Sequence, residues 1–193
     1  ICYHVINRGN GGAAVFYGDR DYLAFIDLLK SGFEQVPMRI LGYCLMPNHM
    51  HLVLWPLGDG DLGRYMQRLF TKHVRRHHRR HGTSGHLWQG RFKSFPIQAD
   101  DHLLTVLRYV ERNPVRAGLA ERAEDWLWSS LRARSAVKRK KDVALDAGPV
   151  DIPQRWKEIV NETDKSAEIG VLRRSVNRGT PFGEDKWISR ISK

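Results

Sequence analysis

The sequence predicts one α+β domain built on an antiparallel sheet, followed by a shorter C-terminal helical extension. Three observations carry that prediction. Apolar residues form four separated strand-like runs, other apolar residues recur at helical spacing between them, and two of the strand runs are joined only by Pro47-Asn48. So short a connection suits an antiparallel pair, because a parallel pair needs a crossover of a dozen or more residues. A chain of 193 residues holds one sizeable domain and an appendage, divided here as 1–135 and 136–193.

Cys2 to Arg8 reads as the first strand, and Asn7 to Gly12 continues into a polar loop whose glycines and asparagines tolerate positive φ. From Asp19, a good N-cap, Tyr22, Phe25, Ile26, Leu29 and Phe33 recur at helical spacing as far as Gln35. Met38–Met46 and His49–Trp55 are the paired strands. Leu62 to Arg80 is a long helix with Leu62, Tyr65, Met66, Leu69 and Phe70 on one side, increasingly basic toward its end. The glycine-containing stretch His81–Gly90 reads as a loop, Arg91–Ile97 as a strand and Asp100–Asn113 as a helix stopped by Pro114. The order is therefore β-α-β-β-α-β-α. Beyond Trp128 the periodicity weakens. Arg132–Asp142 is a basic linker or exposed helix end, and short helical patterns follow around Trp156, Leu172 and Trp187, with too few apolar residues to stand alone.

A formal charge of +11 attracts polyanions over long range, and nucleic acid is the commonest such partner. No apolar run approaches the roughly 20 residues that span a bilayer, and Ile1–Gly12 lacks the layout of a signal peptide. Cys2 and Cys44 form no CxxC pair and read as buried thiols, which suits a reduced cytoplasm. The chain opens within a strand and without methionine, so residues preceding Ile1 are expected in the full protein.

Strand side chains alternate, so His49 and His51 project from one face while Met50, Leu52 and Leu54 project from the other toward a helix layer. Neutral imidazoles suit a metal, yet two ligands complete no site. An isolated His-x-His is equally consistent with strand histidines satisfied by hydrogen bonds. In the Asp101–Asn113 segment, Leu103, Leu104, Val106, Leu107 and Val110 form an apolar arc with Arg108 and Arg112 opposite. Tyr109 lies on the flank of that arc, with Asn113 one turn on. A tyrosine there is ordinarily a packing residue, and a phenol of pKa about 10 is a poor nucleophile at neutral pH. A cation held by the histidines would lower that demand by polarising a phosphate, with the Asn113 amide oxygen available as a further ligand.

Arg64, Arg68, Lys72, Arg75, Arg76, Arg79 and Arg80, with His73, His77, His78 and His81, crowd the second helix, and almost no acid balances them before Arg91. Such a run can be a solvated face, but a single-sign stripe repels itself unless a polyanion meets it. Asn7, Arg8 and Asn10 in the first loop, Arg91, Lys93 and Arg116 near the tyrosine, and Arg178 in the tail are further candidate DNA contacts. Trp88 and Phe92 are candidates for stacking on unpaired bases, and Trp88 is a candidate core residue as well.

Met46-Pro47-Asn48-His49-Met50-His51-Leu52-Val53 resembles the histidine-hydrophobic-histidine motif of the HUH single-strand endonucleases. Trp88–Ser94, Tyr109–Leu119 and Trp128-Ser129-Ser130 follow in the order found in REP-associated tyrosine transposases, and the tail segment Arg173–Gly183 resembles an extension in one group of them. The resemblance implies a ferredoxin-like core in residues 1–135, with His49 and His51 as ligands of Mg²⁺ or Mn²⁺ and Asn113 as the candidate third. It further implies Tyr109 as the nucleophile that forms a 5′-phosphotyrosine, palindromic hairpin DNA as substrate, and a bacterial cytoplasmic protein acting as monomer or homodimer. Neither the second tyrosine nor the third histidine of other HUH branches is present near Tyr109. The competing readings are a non-catalytic DNA-binding protein and a two-histidine metal hydrolase that uses activated water.

Overall fold

A computed structural model describes residues 1–32, 35–134, 143–163 and 167–192. Phe33 and the basic 135–142 stretch, both singled out from sequence, lie outside the described residues. The order is β1 (Cys2–Arg8), α1 (Asp19–Gly32), β2 (Met38–Met46), β3 (His49–Pro56), α2 (Asp61–His81), β4 (Lys93–Ile97) and α3 (Asp101–Glu111). The short helices α4 (Asn113–Arg116) and α5 (Ser130–Ala133) follow, and α6 (Trp156–Asn161), α7 (Ala167–Arg178) and α8 (Asp185–Ile191) form the extension. Pro114 ends α3 as the sequence predicts, but it also opens α4, because its fixed φ and missing N–H suit the first turn of a helix.

The strands run in the order β2-β3-β1-β4 with every pairing antiparallel. Alternation along β3 divides the molecule into two cores. Met50, Leu52 and Leu54 join Val5, Ile40, Tyr43 and Leu45 beneath α1 and α2, where Phe25, Leu29, Tyr65 and Met66 close the layer. On the opposite face Cys2, Cys44, Met46, Val53, Phe95 and Ile97 pack against Leu103, Val106, Leu107 and Val110 of α3. Both cysteines are buried free thiols.

A register shift between Ile40 and Gly42 gives β2 an extra residue. A Cβ at position 42 would stand 2.5 Å from Leu107 Cδ2, so the Leu107 side chain would have to move to admit a larger residue. The β1–α1 loop is tied down by Gly9 N–H donating to Asn48 O (2.8 Å), Asn10 N–H to Leu87 O (2.9 Å) and Val15 N–H to Pro47 O (2.8 Å). The tight β2–β3 turn and the segment before β4 are thereby held beside the end of β1.

The extension packs against α3 and also reaches both edges of the sheet, where Asp146 N–H donates to Ile40 O (2.9 Å) and Phe182 N–H to Pro96 O (3.0 Å). Trp156, Val160, Leu172 and Phe182 are buried in the same core as α3, each such side chain stabilising by about 1.5–3 kcal/mol. Arg108 and Arg112, read from sequence as the polar side of α3, donate to Ile159 O (2.8 Å), Glu162 O (2.7 Å) and Val160 O (3.1 Å), capping the carbonyl end of α6. Beneath them Glu111 is wholly buried, and its carboxylate accepts from Ser130 Oγ (2.5 Å), Arg134 Nε (3.0 Å) and Trp156 Nε1 (2.6 Å). Replacing Glu111 with alanine strands three donors and leaves the Arg134 charge without its carboxylate. Urea denaturation should then show a loss of about 3 kcal/mol.

Candidate active site

The two central strands place the histidines. Along β3, His49 and His51 face α3, directly across from Arg8 and Ile6 of β1 and from Met46 and Cys44 of β2. Their rings are 5.1 Å apart between centroids. Tyr109, on the flank of α3, brings its ring to 6.0 Å from that of His51. Asn113, one turn later, lines the same cleft of about 630 Å³. The four residues singled out from sequence therefore converge.

Each histidine is oriented by a neighbour. Asn48 donates from Nδ2 to Gly12 O (3.1 Å), which leaves Oδ1 to accept from His49 Nδ1 (2.7 Å). In the neutral ring the proton is then on Nδ1, and Nε2 carries the free lone pair. His51 Nδ1 lies 2.9 Å from Nε2 of His4, a β1 residue that is fully buried. Burial lowers His49 to about 4, helped by the charges of Arg8 and Arg116, and holds His51 well below its ordinary value. It lowers His4 to about 3. All three rings are therefore neutral at pH 7, the form that donates a lone pair.

Arg8, Arg91, Lys93 and Arg116 also line the cleft, and no carboxylate stands among the described residues that do. The Arg116 guanidinium sits 3.8 Å from the Tyr109 ring centroid and donates to the Tyr109 backbone carbonyl (2.9 Å), so a positive charge lies over the face of that ring. Sequence reading missed His4, Asn48 and this Arg116 stack. The signal for His4 was available, being the one that singled out His49 and His51: a polar ring inside an apolar strand.

The remaining candidates divide. Asn7 is largely buried at the cleft, where its amide donates to Gly90 O (3.2 Å) and so ties the Gln89–Arg91 segment to β1. Trp88 is 5 % exposed and packed among Phe16, Phe70 and His73, the core position that was its other reading. Phe92 remains half-exposed beside a second groove of about 940 Å³ between α2 and residues 85–92, where Arg75 and Arg91 also lie. Lys72, Arg75 and Arg76 form a shallow cationic depression with Arg79 and Arg80, and Arg68 is exposed and bonded to Gln35. Asn10 is exposed in the β1–α1 loop, and Arg178 is exposed at the end of α7, whose Val176 reaches the cleft. His73 and His77 differ from expectation, since they extend the buried face of α2 and not its cationic one.

A family model for IS200-like transposases matches residues 1–113. The chain belongs to that family. A Haemophilus influenzae protein named as a REP-associated tyrosine transposase is 30% identical over 143 residues, covering 68% of this chain and 76% of the relative. Together these matches place the transposase in the REP-associated group. The solved structure of a REP-associated tyrosine transposase bound to a REP hairpin shares the fold, with a TM-score of 0.57 and 21% identity across 86% of this chain and 92% of that one. Among the described residues no helix is long and apolar enough to cross a membrane.

The donor set fits a divalent cation: two neutral imidazoles with oriented Nε2 atoms and an amide oxygen line one cleft. Among the described residues no three His, Cys, Asp or Glu side chains group as metal ligands.

The buried neutral histidines give the transposase an acid-sensitive fold. His4, His49 and His73 have folded values lowered to about 3, 4 and 3 from 6.5, so between pH 6.5 and 4 the unfolded chain binds protons that the folded chain does not. Unfolding free energy then rises with pH across that window, by up to about 1.4 kcal/mol per pH unit for each histidine. Urea midpoints measured from pH 7 to 4 should fall steadily, and a flat profile would contradict the burial described.

Proposed function

We propose that this transposase cleaves and rejoins single-stranded DNA at palindromic hairpin repeats, with Tyr109 as the nucleophile. The observation that carries the reading is the convergence of Tyr109, Asn113, Arg116 and both histidines on one electropositive cleft. The Tyr109 oxygen attacks the scissile phosphorus, a P–O bond to tyrosine forms, and the P–O bond to the 3′ oxygen breaks. A 5′-phosphotyrosine and a free 3′ hydroxyl result. The phosphotyrosine stores the bond energy, so a 3′ hydroxyl returning to the phosphorus rejoins the strand without a nucleotide cofactor.

Mg²⁺ or Mn²⁺, held by Nε2 of His49 and His51 and the amide oxygen of Asn113, would polarise the phosphate when bound. Arg116 lies against the tyrosine ring, where it neutralises charge on the phosphate oxygens and orients them for attack. Arg8, Arg91 and Lys93 bind the adjoining backbone, and the α2 cations Arg68, Lys72, Arg75 and Arg76 extend that contact away from the cleft. The relative solved on a REP hairpin supports a structured DNA substrate. Residues 1–135 carry this chemistry, while 136–193 buttress α3 and bring Val176 to the cleft rim.

With a hairpin oligonucleotide bearing single-stranded flanks and Mn²⁺, the wild type should give a covalent protein–DNA adduct, and Tyr109→Phe should bind the same DNA but form none. Cleavage by Tyr109→Phe at the wild-type rate sinks the mechanism, and cleavage without any adduct assigns the attack to water. Replacing Arg75 and Arg76 together with glutamine should weaken binding uniformly across sequences. The slope of log K against log salt should drop by about 1.8, or 0.9 per lost phosphate contact.

A further inference from the structure

His4 has no part in the chemistry above, yet it is the most enclosed polar ring in the neighbourhood of the cleft. It is 0 % exposed in the middle of β1. The residues directly across from it are apolar on both sides, Val53 on β3 and Phe95 on β4, and its ring meets Phe95 edge-on at 4.8 Å. An apolar side chain would fill this position without burying two ring nitrogens, so packing alone does not account for a histidine. Nδ1 of His4 has no hydrogen-bond partner among the described residues. Its single polar contact is the one from Nε2 to His51 Nδ1, at 2.9 Å.

The register explains why these two rings meet. His51 stands opposite Ile6, two residues along β1 from His4, so His4 and His51 are diagonal neighbours on the same face of an antiparallel pair. Their ring centroids are 5.1 Å apart with planes inclined by 27°, so the rings meet edge to edge through His4 Nε2 and His51 Nδ1. The other face of that corner is Tyr109, whose ring centroid is 6.2 Å from that of His4 and 6.0 Å from that of His51.

His49 supplies the pattern for comparison. Asn48 Oδ1 can only accept, so it pins the His49 proton on Nδ1 and leaves Nε2 bare. The contact of His51 with His4 has two tautomeric forms. With the proton on His4 Nε2, His51 keeps its own proton on Nε2 and cannot give that atom to a cation. With the proton on His51 Nδ1, His4 Nε2 accepts and both strand histidines present the same bare atom.

We infer that His4 is a positioning residue: it accepts the Nδ1 proton of His51 and so fixes the ring orientation and tautomer in which His51 Nε2 serves as a metal ligand. A partner on the far nitrogen of a ligating histidine governs affinity in this way generally, and its loss typically costs about 10- to 100-fold in metal binding. The inference rests on the reading of His49 and His51 as ligands, so the test separates the two.

Nitrogen NMR of the ¹⁵N-histidine-labelled wild type, with Mg²⁺ added, reads the tautomers directly. The expected result is a protonated Nδ1 and an unprotonated Nε2 for His51, with a proton on Nδ1 of His4. A proton on Nε2 of His51 in the Mg²⁺-loaded protein overturns the inference. Mn²⁺ titration followed by electron paramagnetic resonance supplies the second readout. His4→Phe keeps a ring but no acceptor and should weaken Mn²⁺ by about 10- to 100-fold, while His4→Gln, which restores an acceptor, should recover most of the loss. Melting in EDTA of both variants separates a folding defect from a binding one. Wild-type Mn²⁺ affinity in His4→Phe, alongside lost affinity in His51→Ala, overturns the role of His4 alone. Undiminished Mn²⁺ binding in His51→Ala removes the ligand assignment and the inference together.

Discussion

The pairing of β3 with β1, in one register and no other, is the constraint on which this molecule rests. Both strands are central in the sheet and covered on both faces, so a slip of one residue would turn Met50, Leu52 and Leu54 out of the α1–α2 core and drive His49 and His51 into it. The penalty is large on both counts, because apolar volume is lost from one core and polar rings enter another without partners. The same register puts Arg8 opposite His49 and brings His4 diagonally to His51. Core packing and site geometry are therefore one specification. Ties from the β1–α1 loop to Pro47 and Asn48 hold the turn that carries Asn48 and complete it.

Burial sets the electrostatics of the cleft in two opposite ways. It strips the histidines of charge, desolvation being the first cause of each lowered value, and so keeps them as lone-pair donors. The arginines keep their charge at any relevant pH, since guanidinium does not lose its proton in proteins. The result is a cleft with neutral nitrogen donors at the base and fixed positive charge at the walls, without a carboxylate among the described lining residues. The cationic face of α2 continues the field outward from the walls of the cleft.

The extension braces α3, the helix that carries Tyr109, from the side opposite the cleft. Glu111 lies two residues from Tyr109, buried at the point where α3, α5 and α6 meet. Its carboxylate is saturated by Ser130, Arg134 and Trp156, and Arg134 also donates to Leu41 O on β2. Arg108 and Arg112, on the outer side of α3, close the carbonyl end of α6. The helix that carries Tyr109 and leads into Asn113 is thus clamped between the sheet and the extension, and neither residue can shift without disturbing a buried charge.

The strand and helix order, the split of β3 into a core face and a histidine face, and the cationic face of α2 were all legible in the sequence. Each depends on periodicity, and periodicity is a local property of the chain. The histidine pair, Tyr109 and Asn113 were legible as candidates for the same reason, strengthened by the order of the motifs. What the tertiary structure alone decided involves residues far apart in sequence. Register brings His4 to a ring 47 residues away. Burial puts Trp88 in the core, ties Asn7 to Gly90, and takes His73 and His77 into the buried face of α2. The weakly periodic extension finds its burial against α3 and the two edge strands, β2 and β4, and Glu111 becomes a buried carboxylate that ties α3 to it. Periodicity reports which face a residue occupies; which partner waits on that face is settled only when the strands and helices close on one another.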